Sequence, residues 1–224
     1  MDRQEIKEKW NTLPPLARDI LEPLIAVILI LAFLKIVLGS HLLVPIVVVI
    51  SGSMLHVEGD NGWNTWLKYN NITDEQIADF PLRDGFARGD LIVTMRPTVK
   101  LGDVVIYERD RAHNHLRGEP IIHRIVGVAT IEGNAIEVEG TLDCLSKDVL
   151  LTYASKNNIK NSDPGKIKLY ITKGDNNDRS DQCGGIADPI TKDRLLAKTF
   201  LKIPKVGYVK LYMVDTIQKI REIL

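Results

Sequence analysis

The stretch from Pro23 to Ile50, PLIAVILILAFLKIVLGSHLLVPIVVVI, constrains this chain more than any other feature. Its first 21 residues, Pro23 to Leu43, would form a helix of about 31 Å, close to the hydrocarbon thickness of a bilayer. Proline suits the first position of a helix, so a membrane span is expected over 23–43. Lys35 lies inside it, and its ammonium is expected to reach the outer headgroups along its aliphatic stem. A cleavable leader is the other use of such a run, but the stretch is long for one and no A-x-A-like site follows it.

The basic residues near the span give its direction. Arg3, Lys7, Lys9 and Arg18 precede it, and after Lys35 the next Lys or Arg is Lys68. The positive-inside bias predicts a cytoplasmic segment 1–22 and an extracytoplasmic segment from 44 onward. At the other end, Leu211, Val214, Ile217, Ile220 and Leu224 recur at helical spacing, predicting an amphipathic helix over 211–224.

The intervening 44–210 reads as mainly β. Apolar, mostly β-branched runs recur at Pro45–Ile50, Asp90–Met95, Asp103–Tyr107, Ile121–Thr130, Ala135–Val138 and Ile167–Thr172. Turn pairs such as Gly89-Asp90, Gly102-Asp103, Gly133-Asn134 and Gly174-Asp175 punctuate them, the pattern of an antiparallel sheet. Two polar stretches interrupt it: an insertion over 55–86, with a helix start at Thr73-Asp74-Glu75-Gln76, and an excursion over 142–163. Lys+Arg and Asp+Glu are 29 each, and this balance argues against a general nucleic-acid binder. Two cysteines, Cys144 and Cys183, are too few for a disulfide framework or a four-cysteine zinc site; whether they pair stays open. The sequon Asn71-Ile72-Thr73 falls on the outer side of this topology.

Three short segments carry chemistry. Ser51-Gly52-Ser53-Met54 follows a β-branched run, where a small-residue turn can present a hydroxyl without steric cover. Serines at i and i+2 of an extended chain point the same way, one able to attack a carbonyl and the other to donate to the resulting oxyanion. In Ile121-Ile122-His123-Arg124-Ile125-Val126-Gly127, period two sets His123 on the face of Ile121 and Ile125, opposite Arg124, a setting that suits a general base. Lys173-Gly174-Asp175-Asn176-Asn177-Asp178-Arg179-Ser180-Asp181 is an acidic turn from which one carboxylate can orient that histidine. Taken singly, each has a plainer use as a turn, a core histidine or an Asx-rich loop. His113 and His115 sit in a polar stretch without a third ligand and read as loop residues rather than a metal site.

Together, in this order after an apolar anchor, SGSM (51–54), GDVVIY (102–107), IIHRIVG (121–127) and KGDNNDRSD (173–181) resemble type I signal peptidases, most closely the archaeal and endoplasmic-reticulum type. The resemblance runs from the apolar helix to about Val209. Histidine at 123, where the bacterial type has lysine, marks the Ser-His-Asp form. The resemblance implies an antiparallel β-sheet protease domain of signal-peptidase type, with Ser53 as nucleophile and His123 as base. Asp181 or Asp175 would orient the histidine, Asp181 being favoured. The oxyanion would be met by Ser51 and the Ser53 backbone. The implied substrates are secretory preproteins with small residues before the cut, processed at the outer face of the cell membrane, or in the lumen of the endoplasmic reticulum. Proximity to the protein-translocation channel is also implied, and no cofactor or metal. Leu55-His56 departs from the acidic residue and proline usual after SGSM, which makes His56 a rival base on proximity. The insertion is expected to lid or widen the groove. It leaves open a specialised protease for pilin-like or regulatory substrates, or a catalytically silent assembly factor.

Overall fold

An apolar helix, α1 (Pro15–Leu38), leads into an antiparallel sheet in the computed structural model, which describes residues 4–5, 10–56, 62–109, 120–157, 159, 165–209, 211–212 and 216. The helix is displaced from the expected 23–43. It starts at Pro15, whose missing N–H costs nothing in a first turn, so Pro23 lies inside it rather than at its start. It ends at Gly39, which takes the left-handed conformation (φ 62°, ψ 22°) and donates its N–H to the Lys35 carbonyl. The Arg96 N–H takes the Leu38 carbonyl at 2.8 Å, turning the chain from helix to sheet. None of the residues of α1 is buried. At 24 residues, about 36 Å, the helix is long and apolar enough to span a membrane. Lys35 bends toward the C-terminal end of the helix, where Nζ donates to the carbonyl of Leu42 at 2.9 Å. That position in the last turn also faces the negative end of the helix dipole.

Among the described residues seven strands follow: β1 (Ile46–Val48), β2 (Leu91–Met95), β3 (Val104–Tyr107), β4 (Ile121–Glu132), β5 (Ala135–Gly140), β6 (Lys166–Lys173) and β7 (Leu195–Ile203). They pair antiparallel in the order β1-β2-β7-β3-β4-β5, with β6 also on β4. β7 is absent from the sequence-based expectation. Its alternation is interrupted by Lys198 and Lys202, yet both lysines find partners, Asp103 Oδ2 and the Gly85 carbonyl, each at 2.9 Å. The strand therefore sits inside the sheet, between β2 and β3.

The 12-residue β4 organises the molecule. Its first half pairs with β3 and its second half lies between β5 and β6. The β4–β6 register slips at Val126: Ile125 faces Thr172, but Gly127 faces Ile171. One extra residue in a bulge inverts the alternation beyond it. Ile121, Ile125 and Val128 thus share one core with Tyr107 and Tyr170, while Val126, Ala129 and Ile131 share another with Leu169 and Ile171.

Three short helices close the second core. The insertion supplies α2 (Gly62–Tyr69) and α3 (Asp74–Ala78), and the excursion supplies α4 (Lys147–Lys156). They bury Leu67, Ile77 and Leu150 there. α3 begins where expected, through a reciprocal capping box between Thr73 and Gln76. The insertion is therefore core on the Arg124 face of the sheet, rather than a lid on the His123 face. The 211–224 helix, except for Leu211, Tyr212 and Thr216, and His113 and His115 lie outside the described residues.

Cys144 and Cys183 are joined, with Cα atoms 5.9 Å apart, tying the excursion to the segment after Asp181. For a sequence separation of 39, chain entropy assigns the bond about 4 kcal/mol. Unfolding of the detergent-solubilised chain should show a midpoint clearly lowered by Cys144→Ser/Cys183→Ser. An unchanged midpoint would contradict that stabilisation.

Candidate active site

Adjacent residues of a strand face opposite sides of its sheet. On β4 this separates His123 from Arg124, and the cross-strand partners follow suit: Val105 lies opposite His123, Val104 opposite Arg124 and Lys173 opposite Arg124. Tyr107 and Thr172 belong to the His123 face, because they pair with Ile121 and Ile125. The acidic turn after β6 supplies one carboxylate to each face.

On the first face, Ser53 Oγ lies 2.9 Å from His123 Nε2, and His123 Nδ1 lies 2.7 Å from Asp181 Oδ2. The same carboxylate oxygen accepts the Tyr107 hydroxyl and the Thr172 hydroxyl, each at 2.7 Å. Asp181 is wholly buried, and these donors are what make a buried carboxylate tolerable. A carboxylate can only accept, so Nδ1 carries a proton and neutral His123 presents the Nε2 lone pair to Ser53. Burial and the neighbouring Asp181 charge hold the Tyr107 phenol well above its ordinary range, so it remains a donor. Ser51 Oγ stands 3.3 Å from Ser53 Oγ. The serines reach this arrangement through a turn (Leu55 N–H to the Gly52 carbonyl, 3.1 Å) rather than an extended segment.

On the second face, Arg124 is wholly buried and uses all five of its N–H groups. Nε and Nη2 fork onto Asp175 at 2.9 and 2.7 Å, and the rest donate to the carbonyls of Pro81, Gly102 and Leu82. His56 Nε2 meets Asp175 Oδ2 at 2.9 Å. Burial pushes the Asp175 carboxyl up, but the Arg124 charge and the bonds from His56 and Arg124 outweigh it and bring it down to about 2. Lys173 donates to the carbonyls of Gly174 and Asp175 and lies 4.7 Å from the Trp66 ring centroid. Burial lowers its ammonium, with nearby carboxylates opposing.

Of the expected site residues, Ser53, His123 and Asp181 come together, with Ser51 beside them. Asp175 belongs to Arg124 and His56, so His56 is placed away from Ser53 as a base. Tyr107, Thr172 and Asn176 were not anticipated. The first two act through cross-strand register, for which no local motif exists. Asn176 donates its N–H to the Ser53 carbonyl at 2.8 Å.

An open cavity of about 720 Å³ runs past the hydroxyl, lined by Val47, Ile50, Ile106, Ile122, Ser53 and His123. A chain lying there would meet a largely apolar wall with the Ser53–His123 pair in it. The chain matches no known family model, and no curated protein matches it.

A Cβ on Gly174 would stand 2.8 Å from the Ser53 carbonyl oxygen and 2.9 Å from His123 Nε2. Gly174→Ala should slow fluorophosphonate labelling of Ser53 by about 100-fold, since displacements near 1 Å cost that much. A wild-type rate would refute the close approach. Asp175 has a folded pKa of about 2 against 3.8 when free, so its contribution is complete above the free value and is lost as pH falls through the folded one. Between pH 5 and 2 the unfolding free energy should drop by about 2 kcal/mol from this group. Asp175→Asn should remove that part of the slope, and an unchanged slope would contradict the assignment.

Proposed function

We propose that the chain is a membrane-anchored serine endopeptidase of signal-peptidase type, removing signal peptides from secretory preproteins at the outer membrane face. The observation that carries this reading is the continuous line from Ser53 Oγ through His123 to Asp181.

In the reaction, His123 Nε2 takes the Ser53 proton as Oγ bonds to the scissile carbonyl carbon. The carbonyl oxygen becomes an oxyanion, met by the Ser51 hydroxyl and the Ser53 N–H. Such a donor is typically worth about 10²–10³ in rate. Asp181 holds the ring and stabilises the imidazolium. Collapse breaks the C–N bond, and His123 gives its proton to the leaving amine. Water, deprotonated by His123, then attacks the acyl carbon; the bond to Ser53 Oγ breaks, and His123 gives that proton to Oγ.

Position supports the substrate class. Ser53 lies 15 residues after the last residue of α1, Leu38. The intervening segment is fastened to the sheet by His41 N–H to Leu196 O and Thr94 N–H to Pro45 O. With α1 in a bilayer, the nucleophile is tethered to the membrane surface, where a signal peptide's cleavage site emerges. The joined cysteines favour an oxidising, extracytoplasmic setting for the domain. The apolar groove suits small residues before the cut.

A purified preprotein in detergent, incubated with wild type and with Ser53→Ala, tests the reading. Wild type should release the signal peptide, and Ser53→Ala should cut more slowly by at least about 10³-fold. Equal cleavage by both would exclude Ser53 as nucleophile. The wild-type kcat/KM should also show an acid limb, because imidazolium has no lone pair for the serine proton. A profile flat to low pH would count against His123 as base.

A further inference from the structure

The His56–Asp175 pair lies on the opposite face of the sheet from the His123–Asp181 pair, yet His56 is only three positions along the chain from Ser53. We infer that His56 is a positioning residue for the nucleophile, and that the insertion carrying α2 exists in part to hold it. This inference rests on the serine-nucleophile reading given above.

The segment 52–56 is fastened to the 174–176 turn at both ends. At one end, Asn176 donates its N–H to the Ser53 carbonyl at 2.8 Å and its side-chain amide to the Gly52 carbonyl at 3.2 Å. At the other end, His56 Nε2 reaches Asp175 Oδ2 at 2.9 Å. Asp175 is ionised over the working range, so His56 must donate, which fixes its Nε2–H tautomer when neutral. Between these anchors, Met54 is buried, its sulfur 3.4 Å from the Asp175 N–H. Gly174 presses its backbone against Ser53 and His123. The turn that braces the base therefore also holds the serine, and among the described residues His56 is the only side chain from the serine segment that meets a carboxylate of that turn.

His56 is itself held. Its ring stacks on Trp63 of α2, with centroids 4.7 Å apart and planes at 24°. Trp63 also lies under the Arg124 guanidinium, 5.4 Å from its centroid. The insertion thus places an aromatic plate against both partners of Asp175. A residue that only filled space would not need a donor aimed at an oxygen that Arg124 already occupies. The second donor ties the serine segment to a carboxylate that Arg124 already holds through two hydrogen bonds.

Fluorophosphonate labelling of Ser53 reads nucleophile position without reference to the natural substrate. Full-length His56→Ala should label about 10-fold more slowly than wild type with its thermal midpoint little changed. His56→Gln, which keeps a donor near the same place, should recover to within about threefold. On preprotein cleavage the loss should fall on kcat rather than KM. Wild-type labelling rates in His56→Ala would overturn the inference, and so would a loss that Gln does not restore. Should His56→Ala fail to fold, Trp63→Leu carries the test: the ring loses its stack while the donor remains, so slower labelling supports the inference and an unchanged rate overturns it. Absence of label on wild-type Ser53 would instead sink the serine-nucleophile reading, and this inference with it.

Discussion

The arrangement depends on the opposite facing of two neighbours on one strand. His123 and Arg124 cannot share a side of β4, so each needs its own carboxylate, and the turn after β6 provides two. Asp181 goes with the histidine, among hydroxyls that can donate but carry no charge. Asp175 goes with the arginine, in a fork that satisfies a wholly buried guanidinium. The bulge at Val126 lets both sides close. Before it, the alternation serves the two ion sites, and after it the strand turns to packing β5, β6 and the inserted helices.

Buried charge explains why so much backbone converges here. A lone guanidinium or carboxylate in this interior would cost several kcal/mol. Arg124 avoids that with three carbonyls in addition to Asp175, and those carbonyls come from the end of the insertion and the turn before β3. The insertion is therefore part of the charge site and not an ornament on the sheet. It helps close the charge site that backs the serine turn, and it brings Trp63 and Trp66 against Arg124 and Lys173.

Much of this is legible in the sequence alone. Period two alone put His123 opposite Arg124, and β-branched runs between glycine turns marked the strands from β1 to β6. Thr73 and Gln76 announced α3 because a capping box is local chemistry. What could not be read is what depends on register. Tyr107 reaches Asp181 only because Tyr107 pairs with Ile121, and Thr172 only because it pairs with Ile125. The choice between Asp175 and Asp181 is of the same kind, since both lie in one turn and only the pairing of β4 with β6 sorts them. β7 escaped notice because its lysines look like solvent residues until Asp103 and the Gly85 carbonyl are brought to them. Pro23 resembles a helix start, but the Pro14-Pro15 pair supplies an earlier one, and α1 begins there.

The whole site turns on Asp181, and not Asp175, holding His123. Proton NMR of the detergent-solubilised protein with ¹⁵N-labelled histidine tests it most directly. A proton on Nδ1 of His123, hydrogen-bonded to a buried carboxylate, should resonate far downfield. The account predicts that this signal disappears in Asp181→Ala and survives in Asp175→Asn. Survival in Asp181→Ala together with loss in Asp175→Asn would contradict it.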